Sequence, residues 1–228
     1  EKTVDVVDEG GVLEITGQGT SLTGLMIMKV DFQDRTTVVK VPRGYTGSIT
    51  VETSGGNVDV ANLDGLGTVS LTASSGSLSL MRTSAETVGL RTSSGSINAT
   101  GVDAESFSAW TSSGSLSLDD VEGATVETST SSGYQYLDEV RATTLDIRCS
   151  SGSIDAVGLD ATEAVLEASS GRVAASFAGF ATDYDIAASS TSGSVDAPAG
   201  TIGADKRIVV RTTSGSVDLS FDRGASAG

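Results

Sequence analysis

The phrase Ser-Ser-Gly-Ser followed by an apolar residue returns along this chain, with small variations, at a nearly fixed spacing. No other feature constrains the fold as much. Its glycines Gly76, Gly95, Gly114, Gly133, Gly152 and Gly171 are each 19 residues apart. Gly56 precedes them by 20 residues, and Gly193 and Gly215 follow at intervals of 22. A spacing this constant is a structural period, the mark of stacked repeats that cannot bury a core singly.

With each glycine as position 1, the apolar residues fall into columns. Position 3 reads Leu78, Ile97, Leu116, Gln135, Ile154, Val173, Val195, Val217, and position 5 reads Leu80, Ala99, Leu118, Leu137, Ala156, Ala175, Ala197, Leu219. Positions 8, 13, 15 and 17 are also mostly apolar or Thr, as in Val102, Phe107, Ala109 and Thr111, with Ser, Thr, Asp, Glu and Arg between them. Alternation with period two means strand with one face buried, and no segment shows the 3.6-residue period of an amphipathic helix. Like residues therefore stack on like. The expected fold is all-β: a single-stranded, right-handed parallel β-solenoid with two strands per coil, near positions 2–5 and 13–17, and ten to twelve coils in all. The recurring glycine is expected to sit at φ > 0 in a sharp corner, with the neighbouring serines bonding the freed backbone.

The whole chain is read as one solenoid domain. Residues 1–46 break the period and are expected to form an N-terminal cap with irregular first coils. Residues 47–222 form the regular coils, and residues 223–228 a tail. Terminal repeats of solenoids are atypical because they must hide an open sheet end.

Composition excludes several functions. The chain of 228 residues has net charge −16, which repels phosphate backbones and anionic lipid, so no nucleic acid is expected as a partner. It has no histidine, which removes the commonest general base and zinc ligand. Its single cysteine, Cys149, allows no internal disulfide and sits at an inward position, as a structural thiol would. No apolar run is long enough to span a bilayer, so direct membrane insertion is not expected.

The Val-Leu-Glu-Ile stretch, the Val39-Lys40-Val41-Pro42-Arg43-Gly44 lead-in and the serial Ser-Gly-Ser units are similar to those of the bacterial DUF4097 family, often labelled adhesins. That resemblance covers nearly the whole chain. It implies a β-solenoid exported to, or tethered at, the cell envelope by a segment outside this sequence, and it transfers no catalytic residue. One departure is Tyr134-Gln135-Tyr136, which replaces the usual Ser-apolar-Ser.

Chemistry needs one special site, whereas the serine motif recurs nine times, so it reads as architecture. No cofactor and no metal ion are expected. The turn acids, among them Asp103, Asp119, Asp120, Asp138, Glu139 and Asp160, share no single coil position and lack the calcium-binding β-roll pattern. The candidate binding residues are four. Trp110 faces outward with Arg91 one coil below, poised for cation–π contact. Tyr134 and Tyr136 also face outward, unless Gln135 at an inward position signals a register slip that turns them in. The expected function is a non-enzymatic, adhesin-like scaffold, extracellular or at the envelope, that contacts a protein or a glycan. Two alternatives are a self-assembling structural module and, remotely, a polysaccharide-cleaving β-helix.

Overall fold

The computed structural model describes the backbone of residues 5–9, 12–17, 20–23, 29–33, 36–42 and 44–222, and the side chains of residues 40–42 and 44–222. The residues of the expected tail lie outside this set, as do the side chains of most of the expected cap. Three strands, β1 (Asp5–Glu9), β2 (Val12–Gly17) and β3 (Thr20–Thr23), form an antiparallel meander. A separate hairpin joins β4 (Lys29–Gln33) and β5 (Thr36–Lys40). The strand β6 (Ile49–Thr53) receives β3 antiparallel on one edge and opens the parallel stack on the other.

From there the chain winds as a parallel β-solenoid. Its coils are carried by β7 (Val58–Ala73), β8 (Leu78–Thr92), β9 (Ile97–Ser113) and the long β10 (Leu116–Ser170). The register repeats the sequence period: Leu78 pairs with Ile97 and Ile97 with Leu116. The inward columns expected from the sequence are buried, with Leu78, Ile97, Leu116, Phe107, Val126 and Ile147 all at 0% exposure.

The regular coils have three pairing stretches rather than two. Between the expected strands, Val102 to Ala104 pairs with Val121 to Gly123, and position 10 points inward as the small-residue column Ala85, Ala104, Gly123, Ala142, Ala161. The column holds only Ala and Gly, so it carries no bulky apolar signal that a pattern search would find.

The corners also differ from expectation. In the six coils that start at Gly56 to Gly152 a left-handed residue sits at position 7, occupied by Asn62, Arg82, Gly101, Asp120, Glu139 and Gly158, with φ between 46° and 66°. Of the corner glycines, Gly152 and Gly171 have the expected positive φ, at 150° and 136°. Gly76, Gly95, Gly114 and Gly133 are not left-handed. They are glycine because the coils stack closely. A Cβ on Gly114 would collide with the carbonyl oxygen of Gly95 and lie 2.7 Å from its carbon. The same collision recurs along the stack. At these corners the freed carbonyl is met by the inward residue at position 17: Thr92 donates to Gly76 O and Thr111 to Gly95 O, each at 3.1 Å.

The last coils are out of chain order. Following the glycine contacts upward, the stack runs Gly56, Gly76, Gly95, Gly114, Gly133, Gly152, Gly171, Gly215, Gly193, which is nine corners among the described residues, against the expected ten to twelve coils. After β11 (Val173–Ala178) a 3₁₀ turn at Ala181–Asp183 leads to β12 (Tyr184–Ser192) and β13 (Val195–Asp196), which form the outermost coil. The chain then returns, and β14 (Lys206–Ser214) with β15 (Val217–Asp222) inserts beneath them, against β10 and β11. Burial explains the order. The inserted coil carries Ile208, Val210, Val217 and Leu219, each 5% exposed or less, whereas β12 and β13 are richer in Ala, Ser and Asp. The more apolar segment gains more from being covered on both sides, and the more polar one is left at the end, as a cap should be. Tyr184, fully buried, packs edge-on to Phe177 at 5.8 Å and beside Phe221 at 5.4 Å, and its hydroxyl donates to Ala178 O.

Candidate functional site

Outward residues form columns just as inward ones do. On the stretch at positions 12–18, position 16 stacks Thr72, Arg91, Trp110 and Ser129 in direct register. Arg148 and Glu167 continue the 19-residue period, and Arg211 pairs with Glu167. Position 14 runs beside it as Ser70, Gly89, Ser108, Glu127 and, one period on, Asp146.

The Arg91 guanidinium carbon lies 3.9 Å from the Trp110 ring centroid, so the expected pair is formed. Arg91 thus covers the indole from one neighbouring coil. On the other neighbouring coil the residue in register is only Ser129. Gly89 removes a side chain on the flank. The result is an open groove of about 380 Å³ whose walls include Arg91, Trp110, Glu127, Ser129 and Arg148.

Charge in the groove is nearly balanced. Arg148 reaches Asp146 at 2.7 Å and Glu167 at 3.5 Å, and Arg211 closes on Glu167 at 3.3 Å. Burial pushes the Asp146 carboxyl above the usual carboxylate range, and Arg148 pulls it back. Glu127 makes no ion pair among the described residues and stands free to accept hydrogen bonds. The site therefore offers one rigid aromatic face, one unengaged carboxylate, hydroxyls and two guanidinium groups.

Tyr134 and Tyr136 lie on a different stretch and do not join this groove. Both are exposed, at 40% and 36%, so the register does not slip. Their hydroxyls donate to Asp155 at 2.9 Å and to Asp138 at 3.3 Å. Burial and the Asp155 carboxylate push the Tyr134 phenol up to about 12. Gln135 stays inward at 0% exposure because its side chain is fully engaged: Thr128 Oγ1 donates to Oε1 at 2.6 Å, and Nε2 donates to Thr130 Oγ1 at 3.2 Å and to Arg148 O at 2.6 Å. Thr130 in turn donates to the buried Cys149 sulfur at 3.3 Å. Sequence reasoning missed this network, although Thr128 marks it: the same column otherwise reads Leu90, Ala109, Ile147 and Leu166.

Among the described residues no group of three or more Cys, Asp or Glu side chains could hold a metal ion. Nor, among the described residues, is any helix long and apolar enough to cross a membrane.

Stacked glycine corners, buried columns and outward ladders define a parallel β-solenoid of repeat type. The chain belongs to the Toastrack family, DUF4097, whose family model matches residues 1–220. No curated protein and no solved structure matches it.

Proposed function

We propose that this chain is a non-enzymatic binding scaffold, acting outside the cell or at its envelope, that holds a protein or glycan ligand in the Trp110 groove. The observation that carries the reading is the Arg91–Trp110 stack, which fixes the chain's single tryptophan on a face of small and charged residues. A rigid aromatic on a rigid sheet gives contact area at little entropic cost, and Trp and Arg carry much of the binding energy at interfaces. A carboxylate, Glu127, beside the free ring face supplies direction through hydrogen bonds. The near-balanced local charge suits a neutral, hydroxyl-rich or amide-rich ligand. The long-range field of a chain at −16 disfavours an anionic one.

Because Trp110 is the only tryptophan, its emission reports on this groove alone. Titration with soluble glycans and envelope-protein ectodomains is expected to shift or quench that emission saturably for the true ligand class. Ligands that bind without changing the emission, and that bind Trp110→Ala as tightly, would place function elsewhere. Tyr134 and Tyr136 form the secondary candidate surface, since their hydroxyls are already held by Asp155 and Asp138.

A further inference from the structure

The outermost coil is left open on its upper side. On that side β12 meets one loop donor, Thr201 N–H, which bonds Tyr184 O at 2.9 Å. Peptide groups alternate sides along a strand, so those of Ile186, Ala188 and Ser190 point the same way as that of Tyr184. The loop at 197–205 lies close over the start of β12, where a Cβ on Gly200 would come within 2.8 Å of Ile186 Cγ1. From Ala187 to Ser192 the edge has no further strand or loop bonded to it among the described residues, a free length of roughly 20 Å.

The side chains match an unfinished stack. Ile186 and Ala188 sit directly on Ile208 and Val210, and Val195 on Val217; the loop at Gly200 covers Ile186, whereas no strand lies above Ala188 or Val195 among the described residues. Val195 is 42% exposed, against 2% for Val217 beneath it. A groove of about 480 Å³ lies beside β13, with walls from Phe180, Asp196, Ala197, Pro198 and Phe221. Phe180 and Ile202, both in this end, are 57% and 95% exposed.

The rim is acidic. Asp183, Asp185 and Asp196 make no ion pair among the described residues, although Asp183 and Asp185 accept backbone N–H groups of Phe180 and Gly203. The two nearby cations are Arg207, beneath Asp185 in register, and Lys206, which Asp160 holds at 2.6 Å. An exposed edge with apolar residues waiting beneath it is a template for strand addition.

We propose that the β12–β13 edge is a docking site for an extended segment of a partner protein, alternating aliphatic and basic residues, which adds one further strand to the stack. Its aliphatic side chains cover Ala188 on β12 and, past the Gly193 corner, Val195 on β13, and its cations meet the acidic rim at Asp196. A second copy of this chain fits less well. A two-fold joint would set Asp185 and Asp196 against their own counterparts in a chain of net charge −16. A head-to-tail joint would meet the antiparallel meander of β1–β3 rather than a coil edge.

The test uses a peptide of about ten residues alternating lysine and valine, long enough to run from Ala187 to Asp196, and the same peptide N-methylated at alternate backbone nitrogens. Calorimetric titration of the full chain is expected to show saturable one-to-one binding of the first peptide. The N-methylated peptide should bind about tenfold or more weakly. Ala188→Pro, which removes an outward N–H and leaves the inner ladder intact, and Asp196→Lys should weaken binding similarly, while Trp110→Ala leaves it unchanged. Equal binding of the two peptides would mean mere charge attraction and overturn the proposal. So would full affinity in Ala188→Pro, or a dimer in sedimentation that the peptide does not dissociate. Because Trp110 lies on another face, failure here leaves the groove reading standing, and failure there leaves this one.

Discussion

The corner account predicts that one substitution, made at equivalent positions in two coils, acts with opposite sign. Thr111 and Thr212 both occupy inward position 17 and are 0% and 5% exposed. Thr111 donates to Gly95 O at 3.1 Å, whereas the Thr212 hydroxyl is buried without a partner. Valine has the same branched shape, so Thr→Val changes little but the hydroxyl. In Thr111→Val a hydrogen bond disappears and the Gly95 carbonyl loses its closing donor, a loss of about 1–2 kcal/mol. In Thr212→Val a buried, unmatched hydroxyl is removed, which stabilises by about 1 kcal/mol. The two variants should therefore stand about 2–3 kcal/mol apart. Urea unfolding followed by far-ultraviolet circular dichroism measures this, provided the slope with denaturant is unchanged. Equal losses in both variants would refute the reasoning, because they would mean that the position-17 hydroxyl does not close the corner.

Further outcomes follow from other columns. Gln135→Leu restores the residue type of neighbouring coils yet should cost about 2 kcal/mol, since Thr128 is stranded; adding Thr128→Ala should recover about half, as urea unfolding of the single and double variants would show. Gly114→Ala should destabilise by about 1–3 kcal/mol despite an ordinary φ, because the methyl meets Gly95; thermal melts beside Ser115→Ala give the comparison. Arg82→Gly should be neutral or raise the melting temperature slightly, because relief of the left-handed strain at φ 46° opposes the entropy that glycine adds. Tyr134 favours the protonated phenol in the folded state, so its contribution to stability is intact below pH 10 and is lost as pH rises toward about 12; Tyr134→Phe should make the alkaline slope of unfolding curves shallower, with Tyr136 and Tyr184 among the groups supplying the remainder.

Much of the fold was legible because stacking makes each inward column repeat its chemistry. Leu78, Ile97 and Leu116 announce a buried face as plainly as any periodic signal can. The Arg91–Trp110 contact was legible for the same reason, since residues one period apart must be neighbours. The unread parts obey physics that the side chains do not spell out. The left-handed corner at position 7 accepts Asn62, Arg82 and Asp120 alike, because its requirement lies in the backbone. The corner glycine was recognised for a reason that holds only at Gly152 and Gly171: along the whole stack its constraint comes from the carbonyl of the coil below, and at Gly76, Gly95, Gly114 and Gly133 its own φ plays no part. The order of the last coils was hidden because Val195 and Val217 fit the same column equally well. The difference lay in burial, with Ile208, Val209 and Val210 needing cover that the Ala- and Ser-rich β12 does not. The change of interval from 19 to 22 at Gly193 was the one trace of it.

The binding reading rests on one side chain, and affinity measurements on three variants test it most directly. For whichever glycan or envelope protein gives a saturable change in Trp110 emission, dissociation constants would be measured for the wild type, Trp110→Ala and Tyr134→Ala/Tyr136→Ala. Loss of a stacked aromatic anchor is worth about 2 kcal/mol or more at an interface centre, so Trp110→Ala should bind more than about tenfold more weakly, while the double tyrosine variant binds as the wild type does. Wild-type affinity in Trp110→Ala, with the circular dichroism spectrum unchanged, would contradict the account.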